Sequence, residues 1–129
     1  MRADEEAEVW RAGESEGVVH ESNEVRIRTR GATRSFTTII WIVVADGTVY
    51  VRSVDGEDGN WYQRALVDSR VEVIVGDQQI PFTAVHVDDR DEIDTVSAAL
   101  RAKYRPGGSL DRMVRDEVLG TTLRLDPTT

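Results

Sequence analysis

The chain contains no cysteine. Disulfides, thiolate catalysis and cysteine-ligated zinc are therefore excluded. Histidine is scarce: His20 and His86 are isolated, and no nucleophile is placed to complete a triad with either. His86 followed by Asp88 and Asp89 reads as a surface or strand-packing residue. Lysine occurs once, at Lys103, and the other basic residues are arginine. Long apolar runs are missing too. The longest, Ile39 to Ala45, is far short of the roughly 20 residues that span a bilayer. The acidic N-terminus lacks the apolar segment of a signal peptide. The expectation is a soluble, cytoplasmic protein without a membrane partner. The net charge of −8 disfavours nucleic acid as a partner. No phosphate-cradling glycine loop and no dinucleotide fingerprint occurs. Asp88, Asp89, Asp91 and Asp94 lack the glycine and glutamate spacing of a calcium loop, so no metal is expected.

What is present is a chain of 129 residues, the size of one domain. Residues 1–22 form an acidic segment with a short helix expected around Asp4 to Arg11. Residues 23–126 form the domain. Its organising stretch is Phe36 to Val67. Ile39 to Ala45 is apolar and β-branched, as in a strand buried on both faces. Asp46-Gly47 is a two-residue hairpin signal. Val49, Val51 and Ser53 then point one way, Tyr50 and Arg52 the other. After a glycine-containing acidic loop, Asn60 is expected to cap a short helix with Gln63 in the reciprocal position. That helix is too short to stand alone, so Trp61 is expected to anchor it in the core.

Upstream, Val25, Ile27 and Thr29 alternate with Arg26, Arg28 and Arg30, which predicts a half-buried strand with arginines on one face. Downstream, Arg70 to Val75 and Gln79 to Val87 flank a Gly76-Asp77 turn. Pro81 predicts an edge or a bulge. Asp89 should cap a helix whose Ile93, Val96, Leu100 and Tyr104 form one apolar stripe. Pro106-Gly107-Gly108 ends it, and Ser109 is expected to cap a further short helix. Thr121 to Leu125 reads as a last strand with Thr121, Leu123 and Leu125 inward. Antiparallel strands with helices in the connections predict a closed or nearly closed barrel.

Two regions carry candidate chemistry. Arg26, Arg28, Arg30, Arg34 and Arg52 lie in or beside neighbouring strands. They read either as an anion site or as a solvated strand face paired with the acidic N-terminus. Gly56 and Gly59 allow close backbone approach before the helix at Asn60. This loop reads either as a ligand contact beside Trp61 or Tyr50, or as a plain connection with Trp61 in the core.

The run YVRSVDGEDGNWYQRAL from Tyr50, then VEVIVGDQQIPFTAVHV, together with Lys103-Tyr104 and Thr121-Thr122-Leu123-Arg124-Leu125, resembles the split β-barrel proteins that bind flavin or deazaflavin. It is most similar to a small family related to the deazaflavin-dependent nitroreductases. The resemblance covers Val25 to Leu125. It implies a six-stranded antiparallel split β-barrel with short helices in the connections, assembled as a homodimer. It also implies flavin mononucleotide (FMN) or a deazaflavin as cofactor, a small anionic or flavin-type ligand. Arg34, Ser35, Thr37 and Thr38 match the phosphate side. Arg34 and Arg52 are the anion contacts, Ser53 lies beside them, and Trp61 shapes the pocket. The glycine-basic-serine-glycine loop of the reductases is shortened here to Thr29-Arg30-Gly31-Ala32-Thr33-Arg34-Ser35 and lacks its second glycine. A barrel that has lost the cofactor and serves as a binding or interaction module is the competing implication, so whether the protein is an enzyme stays open.

Overall fold

A computed structural model describes residue 22 and residues 24–128. The helix expected around Asp4 to Arg11, and His20, lie outside the described residues. The elements are β1 (Glu24–Arg30), β2 (Ser35–Trp41), β3 (Val43–Ala45), β4 (Thr48–Val51), a 3₁₀ turn (Gly56–Asp58), α1 (Asn60–Val67), β5 (Arg70–Val75), β6 (Gln78–His86), α2 (Arg90–Lys103), α3 (Gly108–Val114), α4 (Asp116–Leu119) and β7 (Leu123–Pro127). All strand pairs are antiparallel, in the order β2-β1-β5-β6-β7-β4-β3.

The two edge strands, β2 and β3, are separated by Ile42 alone. One bent strand therefore supplies both edges, and the sheet must curl to let it do so. This is the split barrel that the sequence predicts. The expected six strands become seven because the apolar run is bent at Ile42. There the backbone leaves the ladder and bonds to side chains. The Tyr104 hydroxyl accepts from the Ile42 N–H (3.1 Å) and donates to the Ile42 carbonyl (3.0 Å), which also accepts from Lys103 Nζ (2.7 Å). A hydroxyl can do both because it carries one donor and two acceptor lone pairs. Tyr104→Phe should therefore cost about 1–3 kcal/mol, the usual penalty for stranding buried polar groups. Urea denaturation measures it, and an unchanged midpoint would mean that the bend does not depend on this hydroxyl.

Two apolar clusters follow from the alternation. One fills the barrel, with Ile27, Ile42, Val73, Phe82 and Leu125 from the strands and Trp61, Tyr62 and Ala65 from α1. The other packs Tyr50 and Val43 against Ile93, Val96, Leu100 and Tyr104 of the α2 segment and Met113 of α3. As expected, α1 is a helix too short for water, 8 residues long, held by a Trp61 that is 7% exposed. β7 joins β6 to β4 and so connects the two halves of the sheet.

Local signals held at several points. Asp46 (φ 50°) and Gly47 (φ 75°) form the hairpin turn with both residues left-handed. Asp89 caps α2, its carboxylate accepting from the Glu92 N–H (2.9 Å). Others moved. Gly59, not Asn60, is the N-cap of α1, and no side chain caps it. Gln63 Nε2 donates instead to the Glu57 carbonyl (2.8 Å). Position 59 takes a glycine because a Cβ there would collide with Ser53 Oγ. Gly107 occupies the cap of α3, and Ser109 makes no capping bond. Pro81 lies in an interior strand, between β5 and β7. It sits at the last rung of the β6–β7 ladder, next to the pair Phe82–Pro127, where its carbonyl accepts from the Thr128 N–H (3.3 Å) and its missing N–H costs only a terminal bond. β7 starts later than expected, at Leu123. Thr121 turns back, its hydroxyl accepting from the Ser53 N–H (3.1 Å) and donating to the Val118 carbonyl (2.7 Å).

Candidate functional site

Strand periodicity builds the site. In β1, Val25, Ile27 and Thr29 are buried, which turns Arg26, Arg28 and Arg30 outward. The β1–β2 register sets Ser35 opposite Arg30, Thr37 opposite Arg28, Ile39 opposite Arg26 and Trp41 opposite Glu24. Ser35, Thr37, Ile39 and Trp41 therefore share the outer face of an edge strand. Ser35 and Thr37 are exposed, and Ile39 is 65% exposed. A large apolar side chain on an edge strand is an unfinished surface.

A hollow lies at each end of β2. At the β1–β2 turn, a hollow of about 440 Å³ is lined by Arg28, Arg30, Arg34, Ser35, Arg70 and Glu72 among others. Arg28 pairs with Glu72 (2.8 Å) and Arg70 with Asp68 (2.8 Å). The hydrogen bonds from Arg70 hold the Asp68 carboxyl down at about 2. Among the described residues, Arg30 and Arg34 have no carboxylate within ion-pair distance. Arg34 is not loose, however. Its guanidinium lies 4.6 Å over the Phe36 ring, and that of Arg64 lies 4.1 Å over the same ring. Arg64 is fixed in turn by a 2.8 Å bond to Thr29 Oγ1.

At the other end, a hollow of about 260 Å³ is lined by Thr38, Ile39, Ile40, Trp41, Trp61, Arg112 and Met113, with Arg52, Asp55 and Glu24. Trp41 is stacked on Tyr104 at 3.9 Å, the rings 1° from parallel. Lys103 lies behind this pair, and burial lowers its ammonium to about 8.

The structure thus brings Thr38, Trp61 and Arg52 to one hollow and Arg34 and Ser35 to the other, with Thr37 exposed on the strand between them. Ser53 lines neither. It is buried behind Gly59, and its hydroxyl is the one buried side-chain polar atom without a hydrogen bond among the described residues. Arg52, the expected second anion contact, has partners for its donors within the fold. It is 2% exposed, and its guanidinium donates to Thr122 Oγ1 (2.8 Å), the Met113 carbonyl (3.1 Å) and the Ile93 carbonyl (2.9 Å). Burial, with a smaller push from Arg101, lowers it to about 10, so it is still charged at neutral pH. Its donors tie the residue before β7 and two helices to the segment after β4. Ile39, Trp41, Tyr104 and Arg112 were not among the expected site residues. The available signal was the alternation of Ser35, Thr37, Ile39 and Trp41, hidden inside a run that looks buried on both faces.

His86 is a surface residue, as expected. Its Nε2 lies 2.8 Å from the Gly120 carbonyl and its Nδ1 3.0 Å from Asp88. Among the described residues, no acidic or histidine cluster could hold a metal ion, and no helix is long and apolar enough to cross a membrane.

Residues 17–125 match the family described as "Uncharacterized protein conserved in bacteria (DUF2255)". No protein of curated function matches the sequence. Among solved structures, the fold is similar to a conserved hypothetical protein of Mycobacterium tuberculosis (TM-score 0.72, 18% identity, covering 94% of this chain and 82% of that one). It is also similar to an FAD binding protein of Mycobacterium smegmatis (0.63, 18%, 93% and 92%) and an F420-H2 dependent reductase (0.59, 18%, 81% and 94%). At these identities the likeness is one of fold, that of the flavin-type split barrels.

Proposed function

The chain belongs to that bacterial family, and from this premise we propose that it binds a flavin or deazaflavin along the outer face of β2 and works as an oxidoreductase-like homodimer. The carrying observation is the row Ser35, Thr37, Ile39 and Trp41, which runs from an arginine-lined hollow to an aromatic one. Seven residues of strand at about 3.3 Å each span roughly 20 Å, enough for a ring system with its phosphorylated tail. Arg30 and Arg34 bind the anionic end through charge-assisted bonds. Thr37 offers a hydroxyl midway. Ile39, Trp41 and the edge of Trp61 give the ring an apolar wall, with Thr38 as a polar neighbour. When bound, the cofactor supplies hydride transfer, and the protein supplies position and dryness. No acid–base pair is then required of the chain.

A hollow of 260 Å³ is smaller than the roughly 300–1,000 Å³ that enclose a typical small ligand. One chain gives one wall, and a second copy packed on the exposed Ile39 would close the other side. A second reading, a ligand-binding module without turnover, is favoured by Arg52, whose bonds within the fold remove one of two expected anion contacts.

Thermal unfolding with FMN and with F420 tests the proposal. At 100 times the dissociation constant, bound ligand stabilises by about 2.7 kcal/mol, roughly ten degrees for a domain of this size. Arg34→Ala should shrink the shift. No shift with either cofactor would overturn the reading. A shift without oxidation of the reduced cofactor by any electrophilic acceptor would select the module.

A further inference from the structure

The aromatic hollow does not end at Trp41. Trp41, Glu24 and Ser109 line both it and a second hollow of about 640 Å³, so the two form one groove. The second part lies against Lys103, Tyr104, Arg105 and the Pro106-Gly107-Gly108 turn. Its wall is rigid. Trp41 is stacked on Tyr104, whose hydroxyl is held by both backbone groups of Ile42. Its rim is small-residued and open, because Gly107 and Gly108 have no side-chain bulk. Its charge is unlike that of the acidic chain as a whole. Arg105 on this side and Arg112 on the other are exposed, and neither has a carboxylate within ion-pair distance among the described residues. The opposing carboxylates are Glu24 at the junction and Asp55 in the first hollow.

We infer that the compartment beyond Trp41 is a second binding site, which takes a planar aromatic molecule bearing an anionic group, its ring against the edges of the stacked Trp41 and Tyr104 and its anion on Arg105. Aromatic walls select flat π-systems, and a guanidinium selects carboxylate or phosphate over a neutral group. Glu24 sets the polarity: the anion points away from it, toward Arg105. Binding stands on this geometry alone. The role of the molecule as the acceptor for the neighbouring cofactor rests on the reading above.

Calorimetric titration with 2-naphthoate and with its neutral analogue 2-naphthamide, at low salt, separates the terms. Naphthoate should bind about tenfold more tightly than naphthamide, the effect of one charge-assisted hydrogen bond. Arg105→Gln, on an exposed turn, should abolish that preference and leave naphthamide binding unchanged. Glu24→Gln should tighten naphthoate. The naphthoate affinity should survive saturation with FMN. Equal affinity for the two probes, no effect of Arg105→Gln, or displacement of naphthoate by FMN would each overturn the inference. Naphthoate binding that depends on Arg105 in a protein that binds neither FMN nor F420 would support the site and refute the cofactor reading alone.

Discussion

Arg52→Ala should lose at least about 3 kcal/mol of stability. The substitution removes three buried hydrogen bonds from a charged donor, to Thr122 Oγ1 and the carbonyls of Met113 and Ile93, and bonds of that kind contribute about 1.5–3 kcal/mol each. Relief of the buried charge offsets part of this, since burying a cation without a carboxylate is itself unfavourable. Arg52→Met tests that offset, because it keeps apolar bulk and removes the charge. It should remain destabilised, because the three bonds from the guanidinium are still missing. Arg52→Lys should not rescue, because one ammonium cannot reach acceptors on three elements that a planar fork spans. Urea midpoints at unchanged slope report the loss. A cost below about 1 kcal/mol would show that helices α2 and α3 are held to the segment after β4 by something else.

Trp61→Ala should cost about 3–5 kcal/mol, the range for a buried aromatic side chain removed from a core. The indole is the main reason that α1 exists, since its 8 residues are fewer than an isolated helix needs. The loss should therefore appear in helical circular dichroism as well as in the midpoint. Trp61→Phe, with less volume removed, should be far milder. A near-neutral Trp61→Ala would place the ring at a pocket mouth and leave α1 anchored by Tyr62 and Ala65.

What could be read in the chain follows how far each residue's partners lie. The Asp46-Gly47 hairpin, the alternation of β1 and the Asp89 cap are set by residues within a few positions, and each forms as expected. The bend at Ile42 depends on Tyr104 and Lys103, 62 and 61 positions away, so the run around it reads as one straight strand. Arg52 is the sharper case. Its acceptors lie 41, 61 and 70 positions on. An arginine among arginines on a strand looks like an anion contact until those three carbonyl and hydroxyl groups are brought around it. The cap at Gly59 rather than Asn60 lies against Ser53, where a Cβ would have no room, a contact that the local cap signal does not contain. The outer row of β2 was legible in principle, but Ile39 and Trp41 are apolar, and apolar residues read as core. Their exposure comes from the position of β2 at the edge.

The placement of the ligand on β2 is tested most directly by amide chemical-shift mapping of the isotope-labelled protein titrated with FMN. The largest changes are expected at Ser35, Thr37, Ile39 and Trp41, with a second group at Arg30 and Arg34. Perturbations confined to α2, β6 and β7, or saturable binding that leaves β2 unmoved, would contradict it.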